Sequence, residues 1–200
     1  MTPPTPITCM FASVADRRLL MALAAVAAVS GGAAADPLPG GKGKELTCAT
    51  GPQCLELGEK ARDGDPHDDA LSAQYYQRGC ELGHALSCSS LGTLLSVGTR
   101  GVPRDEKRAL ALLEKACALK ELIACRGVAT MVGRGSREPG VITKDPARAA
   151  TLYEGACTAG EAASCSILSD LYREGRGVKR DKKRAAELNR RAKKLGYQGE

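Results

Sequence analysis

Residues 157–185 read CTAGEAASCSILSDLYREGRGVKRDKKRA, and the frame they set recurs upstream. Cys157 and Cys165 are eight residues apart, as are Cys80 and Cys88, and Cys117 and Cys125. The first cysteines follow one another at steps of 37 and 40. Twelve residues before each stands an aspartate, Asp68, Asp105 or Asp145, and Asp181 holds the same place before Lys193. Self-similarity at this period marks stacked repeats, which present a surface more often than a reaction centre.

The columns around these anchors read as helices. Aspartate is a preferred N-cap, because its carboxylate accepts a bond from an unpaired first-turn amide. Pro146, directly after Asp145, suits the first helical position. Four residues past each aspartate come Ser72, Ala109, Ala149 and Ala185; seven past it, Tyr75, Leu112, Leu152 and Leu188; eleven past it, Gly79, Ala116, Ala156 and Ala192. Spacings of 4, 7 and 11 share one helical face, on which small residues admit a close neighbour. A second helix is expected from each second cysteine, with an earlier half-unit joining at Cys54. Leu57, Leu91, Val128 and Leu168 lie three residues on, and Gly64, Gly98, Gly135 and Gly175 lie ten on. Glycine there ends a helix without steric penalty at positive φ. The linkers to the next aspartate vary, and Gly133 to Lys144 is the longest. In the last unit Lys193 replaces the first cysteine, so that unit reads as an unbridged cap.

The ends and the composition bound the compartment. Residues 1–35 read as a cleavable signal peptide: Arg17 and Arg18 precede the apolar run Leu19 to Val29, and Ala33-Ala34-Ala35 has small residues at a cleavage position. The run is too short to span a bilayer. Residues 36–46, rich in glycine and proline, form a flexible lead-in, and 47–196 the repeat domain. Removing the signal and its Cys9 leaves eight cysteines, an even number in a secreted or periplasmic chain, which implies a disulfide framework. Eight residues of one straight helix would separate two α-carbons by about 12 Å, against the roughly 7 Å limit for a bridge. A bonded pair therefore requires the chain to reverse between its cysteines. Gly83 and Gly160 fall in that interval, and Lys120-Glu121 fills it in the middle unit. Cys48 and Cys54, six apart, depart from the pattern, and whether they pair stays open.

With these columns in place, Cys88-x-x-Leu91-Gly92 through Gly98, then Gly101-Val102, Asp105, Ala109 and Lys115-Ala116, resembles the Sel-1-like repeat. So does Leu168 through Leu171-Tyr172, Gly175-Arg176-Gly177-Val178, Asp181 and Lys183-Arg184-Ala185. The cysteine pairs resemble the cysteine-rich secreted bacterial subgroup. The resemblance covers about residues 48–196. It implies an all-α, right-handed α/α superhelix of disulfide-stapled hairpins: a partial N-terminal half-unit, three cysteine-paired hairpins and a basic C-terminal capping helix. The expected function is an exported scaffold mediating protein–protein interaction through a concave groove. Carried over by position, the groove residues are Ser89, Thr93, Ser96, Arg126, Thr130, Ser166, Asp170 and Arg173. The middle unit departs from the family pattern, lacking glycine at 120 and 129 and carrying the insertion before Asp145.

The residues present limit other chemistries. Cys80-x-x-x-His84-x-x-x-Cys88 has zinc-type ligands, but the other pairs enclose no histidine, so no metal or cofactor is expected. Resemblance to the cysteine-rich subgroup implies an alternative, β-lactam binding or weak β-lactamase-like hydrolysis. Against it, the sequence has no Ser-x-x-Lys, Ser-Asp-Asn or Lys-Thr-Gly, and only His67 and His84 could serve a histidine zinc site. No catalytic residue is assigned. Residues 173–194 carry eleven basic side chains against three acidic ones, exceeding the net charge of +6 for the whole chain. This stretch is either a solvated cap or a dock for an anionic envelope component. Nucleic acid is not an expected partner, and the identity of a protein or peptide ligand is not legible.

Overall fold

The computed structural model describes residues 46–198. The expected signal peptide and most of the lead-in lie outside the described residues. Eight helices of 13 residues follow in order: α1 (Gly51–Asp63), α2 (Asp69–Glu81), α3 (Ala85–Val97), α4 (Glu106–Ala118), α5 (Leu122–Arg134), α6 (Pro146–Thr158), α7 (Ala162–Glu174) and α8 (Lys182–Lys194). Among the described residues there is no strand, only an isolated bridge between Thr99 and Val102.

Each even helix starts on its aspartate. A carboxylate oxygen of Asp68, Asp105, Asp145 and Asp181 accepts from the amides of Leu71, Arg108, Arg148 and Arg184, all at 2.9 Å. Such a cap stabilises by about 1 kcal/mol. The same aspartates close the preceding loop. Their own amides donate to the carbonyls of Ala61, Leu95, Val132 and Tyr172, each at 2.9 Å. These acceptors all lie seven residues past a second cysteine, so the loop is closed identically whatever its length. The insertion before Asp145 is thus absorbed without shifting α6.

Each even helix ends in a tight reversal. Gly83, Lys120, Gly160 and Gly196 occupy one column, with φ of 80, 70, 105 and 91°. The following amides return to the carbonyls of Gly79, Ala116, Ala156 and Ala192. Lysine stands in the middle unit where the others have glycine, in a conformation that costs an L-residue about 1 kcal/mol or more. At the other helix ends, Gly98, Gly135 and Gly175 take positive φ as expected, but Gly64 does not, with φ of −74°.

The reversals bring the cysteines together. Cys80–Cys88, Cys117–Cys125 and Cys157–Cys165 are bonded with α-carbons 4.5, 4.6 and 4.7 Å apart, and Cys48–Cys54 closes the N-terminal turn at 5.1 Å. Three bridges therefore staple the end of an even helix to the start of the next odd one.

Each odd helix packs most closely on the even helix that follows it, and more lightly on the even helix before it. Odd helices also touch along the array, α1 with α3 and α3 with α5, whereas even helices make no comparable contact. Small residues set these distances. A β-carbon at Gly58 would fall 2.4 Å from the Tyr76 ring, and one at Gly92 would fall 2.9 Å from Leu113. The face is rotated from the expectation. Tyr76, Leu113 and Tyr153, eight residues past the aspartate, are buried, while Tyr75, Leu112 and Leu152 at seven are half-buried. Only α8, with Asn189 at the eighth place, buries its seventh residue, Leu188.

A polar ladder joins successive even helices. Arg108 donates to Gln77 at 3.1 Å, Arg148 to Glu114 at 3.1 Å, and Arg184 to Glu154 at 3.2 Å. Each rung runs from the third residue after one aspartate to the ninth after the preceding one. The ladder stops in α8, where the ninth residue is Arg190, a group that cannot accept.

Candidate functional site

The odd helices carry all eight candidate groove residues. Ser89, Thr93 and Ser96 lie on α3, Arg126 and Thr130 on α5, and Ser166, Asp170 and Arg173 on α7. Thr93, Thr130 and Arg173 are exposed; Ser96, Arg126, Ser166 and Asp170 are half-buried; Ser89 is buried. Part of their polarity is spent locally. Thr93 and Thr130 donate to the carbonyls of Ser89 and Arg126, and Ser96 donates to that of Thr93. Asp170 and Arg173 pair with each other one turn apart.

Two recesses take in four of these residues. One, of about 660 Å³, lies between α7 and α8 and is lined by Ser166, Ser169, Asp170 and Arg173 with Asn189 and Lys193. Its walls are polar. The other, of about 480 Å³, lies between α5, α6 and α7, with Thr130 at its edge. Ala149, Ile167 and Leu171 give this one an apolar floor, and Arg134, Lys144 and Arg176 stand around it. Both volumes fall in the range of small-ligand sites.

The second recess is shaped by the middle-unit insertion. Glu106, the first residue of α4, is buried. Its carboxylate accepts from the Arg137 amide at 2.9 Å and meets Arg104 at 2.5 Å and Arg134 at 3.1 Å. Burial alone would raise its pKa, but the amide and the two guanidinium groups outweigh that and hold it below the ordinary carboxylate range. The inserted loop is thereby fastened to the preceding repeat, and Arg134 is fixed at the rim. Gly133 leaves the wall open, since a β-carbon there would lie 2.9 Å from that of Ala149. Tyr153 shares a 2.8 Å hydrogen bond with Thr130. Its phenol is raised above the ordinary value, chiefly by burial, against the lowering effect of Thr130, Arg126 and Arg176.

Arg134, Lys144, Tyr153, Ile167, Leu171 and Arg176, which line this recess, are not among the groove residues expected from the sequence. One signal was present: Ile167 stands where the earlier units have Ser90 and Gly127.

The histidines do structural work. His84 Nδ1 is 2.9 Å from Ser87 Oγ, the nearest approach to a serine–histidine pair. Ser87 has no accessible surface, and its Oγ would lie 2.3 Å from a β-carbon at Gly79. An attacking hydroxyl must be reachable, so this pair fastens a helix junction. His67 pairs with Asp69 at 2.9 Å. Among the described residues no cluster of three or more His, Cys, Asp or Glu could hold a metal ion, and Cys80 and Cys88 are committed to a bridge.

These features define a disulfide-bridged α/α solenoid built from helical hairpins. The Sel1 repeat family model matches residues 48–84, 85–120, 122–161 and 162–197, each of the four containing one odd–even helix pair. The chain belongs to the Sel1 repeat family. Counted in this phase, Cys80–Cys88, Cys117–Cys125 and Cys157–Cys165 link successive repeats, whereas Cys48–Cys54 lies within the first.

Solved structures agree. A protective antigen of uropathogenic Escherichia coli strains displaying an SLR fold is 23% identical, with a TM-score of 0.64, over 74% of this chain and 31% of its own. A Sel1 repeat protein from Oxalobacter formigenes is 21% identical, with a TM-score of 0.66, over 74% of this chain and 59% of its own. The present chain thus spans less than two thirds of either. Helicobacter pylori cysteine rich protein B is 29% identical, with a TM-score of 0.50, over 65% of this chain and 90% of its own. No curated protein matches the chain.

Proposed function

We propose that the protein is an exported scaffold that holds a partner protein against its row of odd helices. Membership of a family of repeat proteins that typically act as protein–protein interaction scaffolds supports the general role. The contrast between the rows carries the reading. Recurring polar side chains of the even row are engaged in the rungs between repeats, and the recess of about 430 Å³ between α6 and α8 is itself walled by one such rung, Glu154 with Arg184. The odd row instead carries Thr130, Ser166, Asp170 and Arg173 at the edges of two recesses. Four bridges hold that surface formed in advance, which reduces the ordering entropy a partner must offset.

Export is supported by the same bridges, since disulfides persist in oxidising compartments. No described helix is long and apolar enough to cross a membrane. The basic end is a second, weaker docking element. Arg173, Arg176 and Arg184 are engaged in ion pairs, whereas Lys182, Lys183, Arg190, Lys193 and Lys194 make none among the described residues. Those five cations would favour an anionic envelope component, in a salt-dependent manner.

Site-specific photo-crosslinking in the exported protein tests the main reading. A crosslinker replacing Thr93, Thr130 or Asp170 on the odd row should trap a discrete partner, and one replacing Ala111 or Thr151 on the exposed even row should not. Equal trapping from both rows, or trapping from the even row alone, overturns it.

A further inference from the structure

We infer that the recess between α5, α6 and α7 receives a partner segment presenting a carboxylate side chain next to an apolar one. This rests on the odd-row reading above and specifies its chemistry. The apolar half follows from the floor: Ala149, Ile167 and Leu171 line a space of about 480 Å³. That holds one aliphatic or aromatic side chain together with the head of a neighbouring one. An apolar side chain seated there gains roughly 25 cal/mol for each Å² it removes from water.

The acidic half follows from the charge around the rim. Three cations, Arg134, Lys144 and Arg176, line the recess, and among the described residues no carboxylate does. Glu106 is shared between Arg104 and Arg134, and Glu174 meets Arg176 at 2.6 Å. Lys144 makes no ion pair among the described residues. Lys144, and Arg134 with only a shared carboxylate, thus leave positive charge uncompensated beside a partly enclosed apolar surface, where a charge-assisted hydrogen bond is stronger than in open water. Tyr153 adds a neutral hydroxyl at neutral pH, tied to Thr130 and able to turn toward an acceptor.

The geometry also explains why this repeat junction is unlike the others. Gly135 leaves room for the Lys144 stem, since a β-carbon there would lie 3.1 Å from that of Lys144. The inserted loop, fastened by Glu106, supplies Lys144 and fixes Arg134. At the corresponding places the second repeat has Val97 for Arg134 and Leu113 for Tyr153. The insertion therefore builds a subsite at one junction of an otherwise regular array.

Three nine-residue peptides, acetylated and amidated so that no terminal charge contributes, test the inference by NMR on the full, oxidised protein. Each has a Gly-Ser background around a central Leu-Glu, Leu-Gln or Ser-Glu pair. The Leu-Glu peptide should shift the amides of Tyr153, Ile167 and Leu171 and bind about tenfold more tightly than either control, a difference of about 1.4 kcal/mol. The exposed-loop variant Lys144→Glu should abolish that preference while leaving the free spectrum otherwise unchanged. Equal binding of the Leu-Gln peptide, shifts confined to other helices, or no shifts with any peptide would overturn the subsite. Odd-row crosslinks without Leu-Glu selectivity would sink this inference and spare the groove. Leu-Glu selectivity with crosslinks from the even row would do the reverse.

Discussion

The even row of helices is held by what repeats, and the odd row differs by what does not. Along the even row the same aspartate cap, loop closure and arginine rung recur from unit to unit. The odd row keeps a packed side as regular, with Leu91, Val128 and Leu168 all buried. Its other columns change at every step: Ser90, Gly127 and Ile167 share a half-buried one, and Val97, Arg134 and Glu174 an exposed one. A repeat protein can thus fix its architecture with one set of columns and leave another free for recognition, because the two sets point in different directions from the same helices.

Four perturbations break or sharpen that contrast. The bridges are the covalent ties between rows, so their removal should have the largest effect. Cys80→Ser with Cys88→Ser is expected to lower the unfolding free energy by about 2–3 kcal/mol, read from the urea midpoint of the oxidised protein. A change below about 0.5 kcal/mol would mean that the hydrogen-bonded reversal sets the row spacing by itself.

Glu106 comes next, as the fastening between the regular array and its irregular insertion. Glu106→Ala should cost about 1–2 kcal/mol through the lost charged hydrogen bonds. Because its folded pKa is lowered, the contribution is complete above the unfolded-state value of about 4.3. It is lost as pH falls through the lower folded value. Wild type should therefore lose stability on acidification more steeply than the variant, and parallel pH profiles would refute this role.

At the one non-glycine reversal, Lys120→Gly should stabilise by about 1 kcal/mol by relieving the positive φ, visible as a raised melting temperature. A lowered one would show that the lysine side chain makes a compensating contact. The rungs should be the smallest effect. A double-mutant cycle on Arg148 and Glu114, both about half exposed, is expected to give a coupling of about 0.2–1 kcal/mol that shrinks with added salt. The Arg108–Gln77 rung, whose acceptor carries no charge, should respond less to salt.

Much of the fold was legible because its determinants are local. Asp68, Asp105, Asp145 and Asp181 cap the helix that follows them in sequence, and a residue's fitness for a cap depends on neighbours three positions away. The cysteine register was legible for the same reason, the reversal between Cys117 and Cys125 needing only Lys120 to adopt the left-handed conformation. The packed face was misjudged by one position, at Tyr75 rather than Tyr76. Both spacings suit a helix, and the direction of the neighbouring helix decides between them. The groove residues, chosen by position alone, all fall on odd helices, but Ser89 is buried, which depends on packing that position does not reveal.

By itself, then, the sequence determined a helical repeat array, its caps, its turns and which cysteines could meet, since each follows from interactions within a dozen residues. Only the tertiary structure decided the rotation of each helix, the rungs between even helices and the recess between α5, α6 and α7. Those depend on side chains 20 to 40 positions apart, such as Glu106 and Arg134 or Thr130 and Tyr153, whose meeting is set by how whole hairpins stack.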